Sequence, residues 1–114
     1  MAKNKLKKFS ELKGYQNVFE PSVEDLQSKF DLKGNWNKLV FKNEQPIVLE
    51  LGCGKGEYSV GLAKKYPEKN FIGVDVKGAR MWQGATQALD QKLDNVCFLR
   101  TRIEFIHHCF ATNE

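Results

Sequence analysis

Apolar residues are concentrated in short runs and in helical spacings from residue 47 onward, and they predict a regular alternation of strands and helices. Ile47 to Leu51 is an apolar run between Pro46 and a glycine-rich stretch, the pattern of a buried strand. Glu57 to Tyr66 then places Tyr58, Leu62 and Tyr66 on one helical face and stops at Pro67. A second strand is predicted over Asn70 to Val76. Gly78 to Leu93 carries Met81, Ala85, Ala88 and Leu89 at spacings near the helical period, so it reads as the second helix. Asn95 to Arg100 gives a third strand, and Ile103 to Phe110 a last helical stretch. Upstream, residues 15–46 show no sustained period. Phe19, Phe30, Trp36, Leu39 and Phe41 nonetheless require burial, and a short helix is expected between Ser22, as its cap, and Phe30.

Strands that alternate with helices through short connections form parallel sheets with right-handed crossovers. The fold class expected is therefore α/β, a Rossmann-like half of three parallel strands with flanking helices. Its first strand lies at one edge, and parallel strands are normally covered on both sides. The unpaired edge marks the half as truncated, reliant on residues 15–46 or a partner for cover, or open to self-association. Three parts are expected: a basic flexible arm over 1–14, an extension packed on the core over 15–46, and the N-terminal half of the Rossmann-like domain over 47–114.

Composition narrows the function classes. With 41% hydrophobic and 28% charged residues in 114, the chain suits one small folded domain rather than disorder. No apolar run approaches the roughly 18 residues of a membrane span, and the lysine-rich start lacks a signal-peptide core. A cytoplasmic location and no membrane partner are expected. Cys53, Cys97 and Cys109 have no Cys-x-x-Cys spacing, so they read as reduced residues, and His107, His108 and Cys109 lack a fourth ligand for a metal. Charge is uneven: Lys3, Lys5, Lys7, Lys8 and Lys13 against Glu11 give residues 1–14 the net +4 of the whole chain. A basic arm on a neutral body suits a nucleic-acid partner or a solvated terminus.

The candidate chemistry lies where the first strand ends. Gly52, Gly54 and Gly56 permit positive φ and close approach of a ligand, and the helix that follows aims N–H groups at an anionic group. The Gly-x-Gly-x-Gly spacing differs from the Gly-x-Gly-x-x-Gly of dinucleotide sites, which disfavours a nicotinamide-dependent oxidoreductase. Asp75, nineteen residues after Gly56 at the end of the second strand, can accept both hydroxyls of a ribose. Glu50 adds a carboxylate that favours a nucleoside bearing a positive group over a pyrophosphate.

The segment Glu50-Leu51-Gly52-Cys53-Gly54-Lys55-Gly56 together with Gly73-Val74-Asp75 resembles the S-adenosylmethionine-dependent methyltransferases of Rossmann-like fold. The start Lys3-Asn4-Lys5-Leu6-Lys7-Lys8-Phe9, the block Val48 to Tyr58 and the block Phe71 to Trp82, with its Lys77-Gly78-Ala79-Arg80 segment, resemble bacterial tRNA (guanine-N7-)-methyltransferases. The resemblance implies methyl transfer to guanine N7 of tRNA. It implies S-adenosylmethionine as cofactor, bound by Glu50, Gly52, Cys53, Gly54, Gly56, Asp75, Val76, Thr101 and Arg102. It implies tRNA contacts at Lys3, Lys5, Lys7 and Lys8 of the basic N-terminal segment, with Lys77 and Arg80 either extending that surface or forming a solvated helix start. Arg102 departs from the Asp or Asn usual near the adenine, because arginine accepts no hydrogen bond. The family's Phe-Pro-Asp-Pro-type motif, with its catalytic aspartate, falls beyond Glu114, so these residues alone are expected to be inactive. A non-catalytic S-adenosylmethionine- or RNA-binding module and a parallel domain without a ligand stay open.

Overall fold

The computed structural model describes residues 7, 8, 11 and 14–114. Its elements in chain order are β1 (Val18–Phe19), α1 (Val23–Gln27), α2 (Trp36–Phe41, π-helical), β2 (Ile47–Leu51), α3 (Glu57–Lys65), β3 (Asn70–Asp75), α4 (Gly78–Asp90), β4 (Val96–Arg100), a 3₁₀ turn (Ile103–Phe105) and α5 (Ile106–Cys109). The strands form one parallel sheet in the order β1-β4-β3-β2. Four strands replace the three expected. The added one is β1, whose Val18 lies opposite Phe98 while the Phe98 N–H donates to the Asn17 carbonyl at 2.8 Å. Two residues carry no period, so the sequence offers no signal for it. Strand β2 lies at the other edge, with no partner on its outer side among the described residues.

Both faces of the sheet are covered, which is why its central strands are apolar at nearly every position. Phe71, Val96 and Phe98 meet Val60 and Ala63 of α3 and Met81, Ala85 and Ala88 of α4. Ile72, Val74, Cys97 and Leu99 point the other way, onto Leu26, Trp36, Phe41 and Cys109. Trp36 is fully buried; it donates its indole N–H to the Cys109 carbonyl at 2.8 Å, stacks on Phe110 and meets Phe19 edge-on. The Glu114 carboxylate completes this corner by accepting the N–H groups of Gly34, Trp36 and Ala111.

Local chemistry explains the element ends. Ser22 and Asp25 form a capping box at the start of α1, each side chain accepting the other's backbone N–H. Asn70, fully buried at the start of β3, donates to the side-chain oxygens of Asn37 at 2.8 Å and Asn43 at 2.7 Å. This amide cluster ties α2 to the sheet. One face assignment is corrected. Tyr58 is 67% exposed, whereas Leu62 and Tyr66 pack against the core as expected and α3 buries Ser59, Val60 and Ala63 beside them. The small side chains face the sheet because α3 starts at Gly56, directly over the Phe98 ring, where large groups have no room.

Candidate cofactor site

The carboxyl ends of β2 and β3 hold the glycine turn. Gly52, Gly54 and Gly56 have φ of 75°, 56° and 79°, a left-handed conformation that L side chains rarely adopt. The turn is tied inward: Gly52 and Cys53 donate their N–H groups to the Val74 carbonyl, Gly54 to Asp75 Oδ2, and Gly56 to the Cys53 carbonyl. The N–H groups of the loop are therefore spent on the fold at these four positions. Packing fixes the turn from below. A Cβ on Gly56 would stand 2.6 Å from Phe98 Cε1, and one on Gly84 would stand 2.8 Å from both Gly56 Cα and the Lys55 carbonyl oxygen. By contrast, nothing lies within 4 Å of a Cβ placed on Gly52, which leaves that side of the turn open.

Two carboxylates stand at these strand ends, Asp75 in the lining of a cavity and Glu50 outside it. Asp75 accepts the Gly54 N–H on Oδ2 at 2.9 Å and the Lys77 N–H on Oδ1 at 3.0 Å, leaving each oxygen a further lone pair for a ligand. Its burial works against ionisation. The N–H groups of Lys77, Gly54 and Val76, with the Arg80 charge, more than offset this and hold its pKa below the ordinary value. Glu50 accepts the hydroxyl hydrogen of Ser59, itself buried in α3, at 2.6 Å. Between the carboxylates, the Cys53 thiol is pushed up to about 12, first by burial and then by the charges of Asp75 and Glu50. It is a neutral thiol, not a nucleophile.

A cavity of about 520 Å³ lies beside the turn, lined by Gly52, Asp75, Val76, Thr101, Arg102, Ile103 and Glu104. It falls in the range of small-molecule sites. Arg102 pairs with Glu104 at 2.8 Å on the exposed rim, and Thr101 donates its N–H to the Asp75 carbonyl at 3.1 Å. Through Val76, Thr101 and Arg102 the cavity meets another of about 600 Å³, where Glu20 and Arg100 pair at 2.9 Å. The structure thus groups Gly52, Asp75, Val76, Thr101 and Arg102 around one opening, with Glu50, Cys53, Gly54 and Gly56 outside its lining.

Of the basic residues, Lys3 and Lys5 lie outside the described residues. Lys7 lies 4.0 Å from Glu11, which accepts the Trp82 indole N–H at 2.6 Å, and Lys8 sits over the Trp82 ring. Lys77 contributes its backbone to Asp75, whereas the Arg80 guanidinium lies beside Gly54. No His/Cys/Asp/Glu group able to hold a metal occurs among the described residues. Two residues near the turn were missed from sequence. Ser59 gives a faint signal, a small polar residue in the first turn after the glycines; Phe98, beneath Gly56 and Gly73, gives none.

A family model described as "Putative methyltransferase" matches residues 44–114, well over half of the chain. The chain belongs to this methyltransferase family. Curated relatives carry the name tRNA (guanine-N(7)-)-methyltransferase. That of Christiangramia forsetii is 60% identical over 114 residues, covering 99% of this chain and 51% of the relative. The Bacteroides fragilis protein is 56% identical over 115 residues, covering 100% of this chain and 46% of the relative. The Cytophaga hutchinsonii protein is 40% identical over 114 residues, with 100% and 50% covered. The chain thus spans about half the length of the curated relatives it matches. No helix among the described residues is long and apolar enough to cross a membrane.

Proposed function

We propose that this chain forms the cofactor half of a cytoplasmic tRNA (guanine-N7-)-methyltransferase that uses S-adenosylmethionine. The observation that carries this reading is that Asp75 and the open side of the glycine turn at Gly52 line one strand-end cavity, the usual ligand position in open parallel sheets, with Glu50 at the end of the neighbouring strand β2. The residues fit the cofactor. Asp75 is ionised with a lone pair left on each oxygen for a ribose diol, and Glu50, oriented by Ser59, offers a negative charge to an amino group. S-adenosylmethionine supplies an activated methyl on a sulfonium sulfur. Guanine N7 is already a nucleophile, so the chain's task is to hold the donor in line rather than to remove a proton. Asp75 and Glu50 would hold this donor, which would give up its methyl group to the base and be left as a thioether. Lys3, Lys5, Lys7, Lys8 and Lys77 supply cations for tRNA phosphates.

Calorimetric titration with S-adenosylhomocysteine tests the site. Saturable binding is expected, and Asp75→Ala should weaken it at least about tenfold, as for loss of hydrogen bonds to a charged group. Saturable binding that Asp75→Ala leaves unchanged would refute the assignment of Asp75. The protein produced from the complete reading frame should then methylate guanine N7 in tRNA. Binding without methylation by that protein would favour the non-catalytic module.

A further inference from the structure

The glycine turn leaves a question of charge that its own backbone does not answer. On the reading above, the amino-acid end of the cofactor carries an ammonium and a carboxylate. Glu50 suits the ammonium. The carboxylate would then lie near Glu50 and Asp75, and the N–H groups of Gly52, Cys53, Gly54 and Gly56 are already bound within the protein. Alongside the N–H groups at the start of α3, a cation there would offset the repulsion.

Arg80 is placed to supply that cation. It lies in the first turn of α4, and α4 is held against the glycine turn by the closely packed pair Gly56 and Gly84. The Gly84 N–H also donates to the Lys55 carbonyl at 2.8 Å, so the helix and turn are one unit. From there the Arg80 side chain reaches back over the turn. Its Nη2 and Cζ lie 3.7 and 3.9 Å from the point where a Cβ on Gly54 would stand. The side chain is exposed, so a ligand can reach it.

We infer that Arg80 is a cofactor-binding residue, its guanidinium pairing with the carboxylate of the amino-acid moiety while Glu50 takes the ammonium. A planar guanidinium is the side chain best matched to a carboxylate, which it can bind through two parallel N–H donors. The field it casts on Asp75, noted above, agrees with this position. The inference rests on the cofactor reading and moves Arg80 from the tRNA surface, where the sequence placed it, to the cofactor.

The test uses two ligands that share the adenosine and the thioether but differ in the amino-acid group: S-adenosylhomocysteine and methylthioadenosine. Each is titrated into the protein from the complete reading frame, as wild type, Arg80→Ala and Arg80→Lys, with circular dichroism to verify folding. Arg80→Ala should weaken S-adenosylhomocysteine at least about tenfold, in line with a lost charge-assisted hydrogen bond. It should leave methylthioadenosine within about twofold, with partial recovery in Arg80→Lys. Equal weakening of both ligands would overturn the inference, showing that Arg80 acts by holding Asp75 and the turn. An unchanged affinity for both would overturn it as well. If folded wild-type protein binds neither ligand, the cofactor reading itself fails, and this inference with it.

Discussion

At the scale of single residues, Asp75 joins fold and site through one carboxylate. Its two backbone hydrogen bonds close the glycine turn and start the α4 connection, and they favour the ionised form. Because its pKa in the folded chain is below the unfolded value, it contributes stability above the unfolded pKa, near 3.9 for aspartate. That contribution is lost as pH falls through the folded value. Urea unfolding of wild type and Asp75→Asn should therefore show a wild-type advantage at pH 7 that shrinks steadily below about pH 4. A constant difference down to pH 3 would show that the backbone bonds do not depend on the charge. Cys53, three residues from Glu50, is shifted the opposite way: burial first, and then the charges of Asp75 and Glu50, keep its thiol protonated.

At the scale of elements, the contact between α4 and the glycine turn sets the site's shape. A glycine inside a helix costs about 1 kcal/mol relative to alanine, so Gly84→Ala would stabilise an isolated helix. Here the new Cβ would meet backbone atoms of Lys55 and Gly56 at 2.8 Å, and backbone cannot move aside as a side-chain tip can. Gly84→Ala should destabilise the chain by about 2 kcal/mol in urea unfolding, as for an overpacked core. It should also weaken cofactor binding by shifting the turn. Strands β2, β3 and β4 and helices α3 and α4 were legible because apolar runs or helical spacings fall between Pro46, the glycines, Pro67 and Lys77-Gly78. Strand β1 and the π-helical α2 were not, since their order comes from distant partners, Phe98 for one and Cys109 with the Asn70 cluster for the other. On α3, Leu62 and Tyr66 pack on the core as read, but Tyr58 does not, because a tyrosine marks apolarity and not available space. The two carboxylates and three glycines of the site were legible by type and spacing. Ser59 and the position of Arg80 depend on helix packing, which no short motif encodes.

At the scale of the whole molecule, β2 presents an outward-facing edge. Its backbone has no neighbour on one side among the described residues, and Val48 and Leu51 are 38% and 50% exposed. Such an edge templates pairing with another strand, and a lysine on it is the usual protection. Sedimentation of the 114-residue chain should show concentration-dependent association that Val48→Lys reduces, without change in circular dichroism. Association of equal strength in both would place the contact elsewhere. A separate consequence follows from the corner where Trp36 is enclosed. Phe19, Trp36 and Gly34 find their partners at Leu99, Cys109, Phe110 and Glu114, so the first third of the chain packs against the last fifth. On a ribosome, which releases the chain from its first residue onward, the aromatic groups of residues 19–36 emerge long before anything can cover them. They are the natural stretch for a chaperone to hold during synthesis, and an aromatic-to-polar exchange there would change yield in the cell before it changed the affinity of the finished protein.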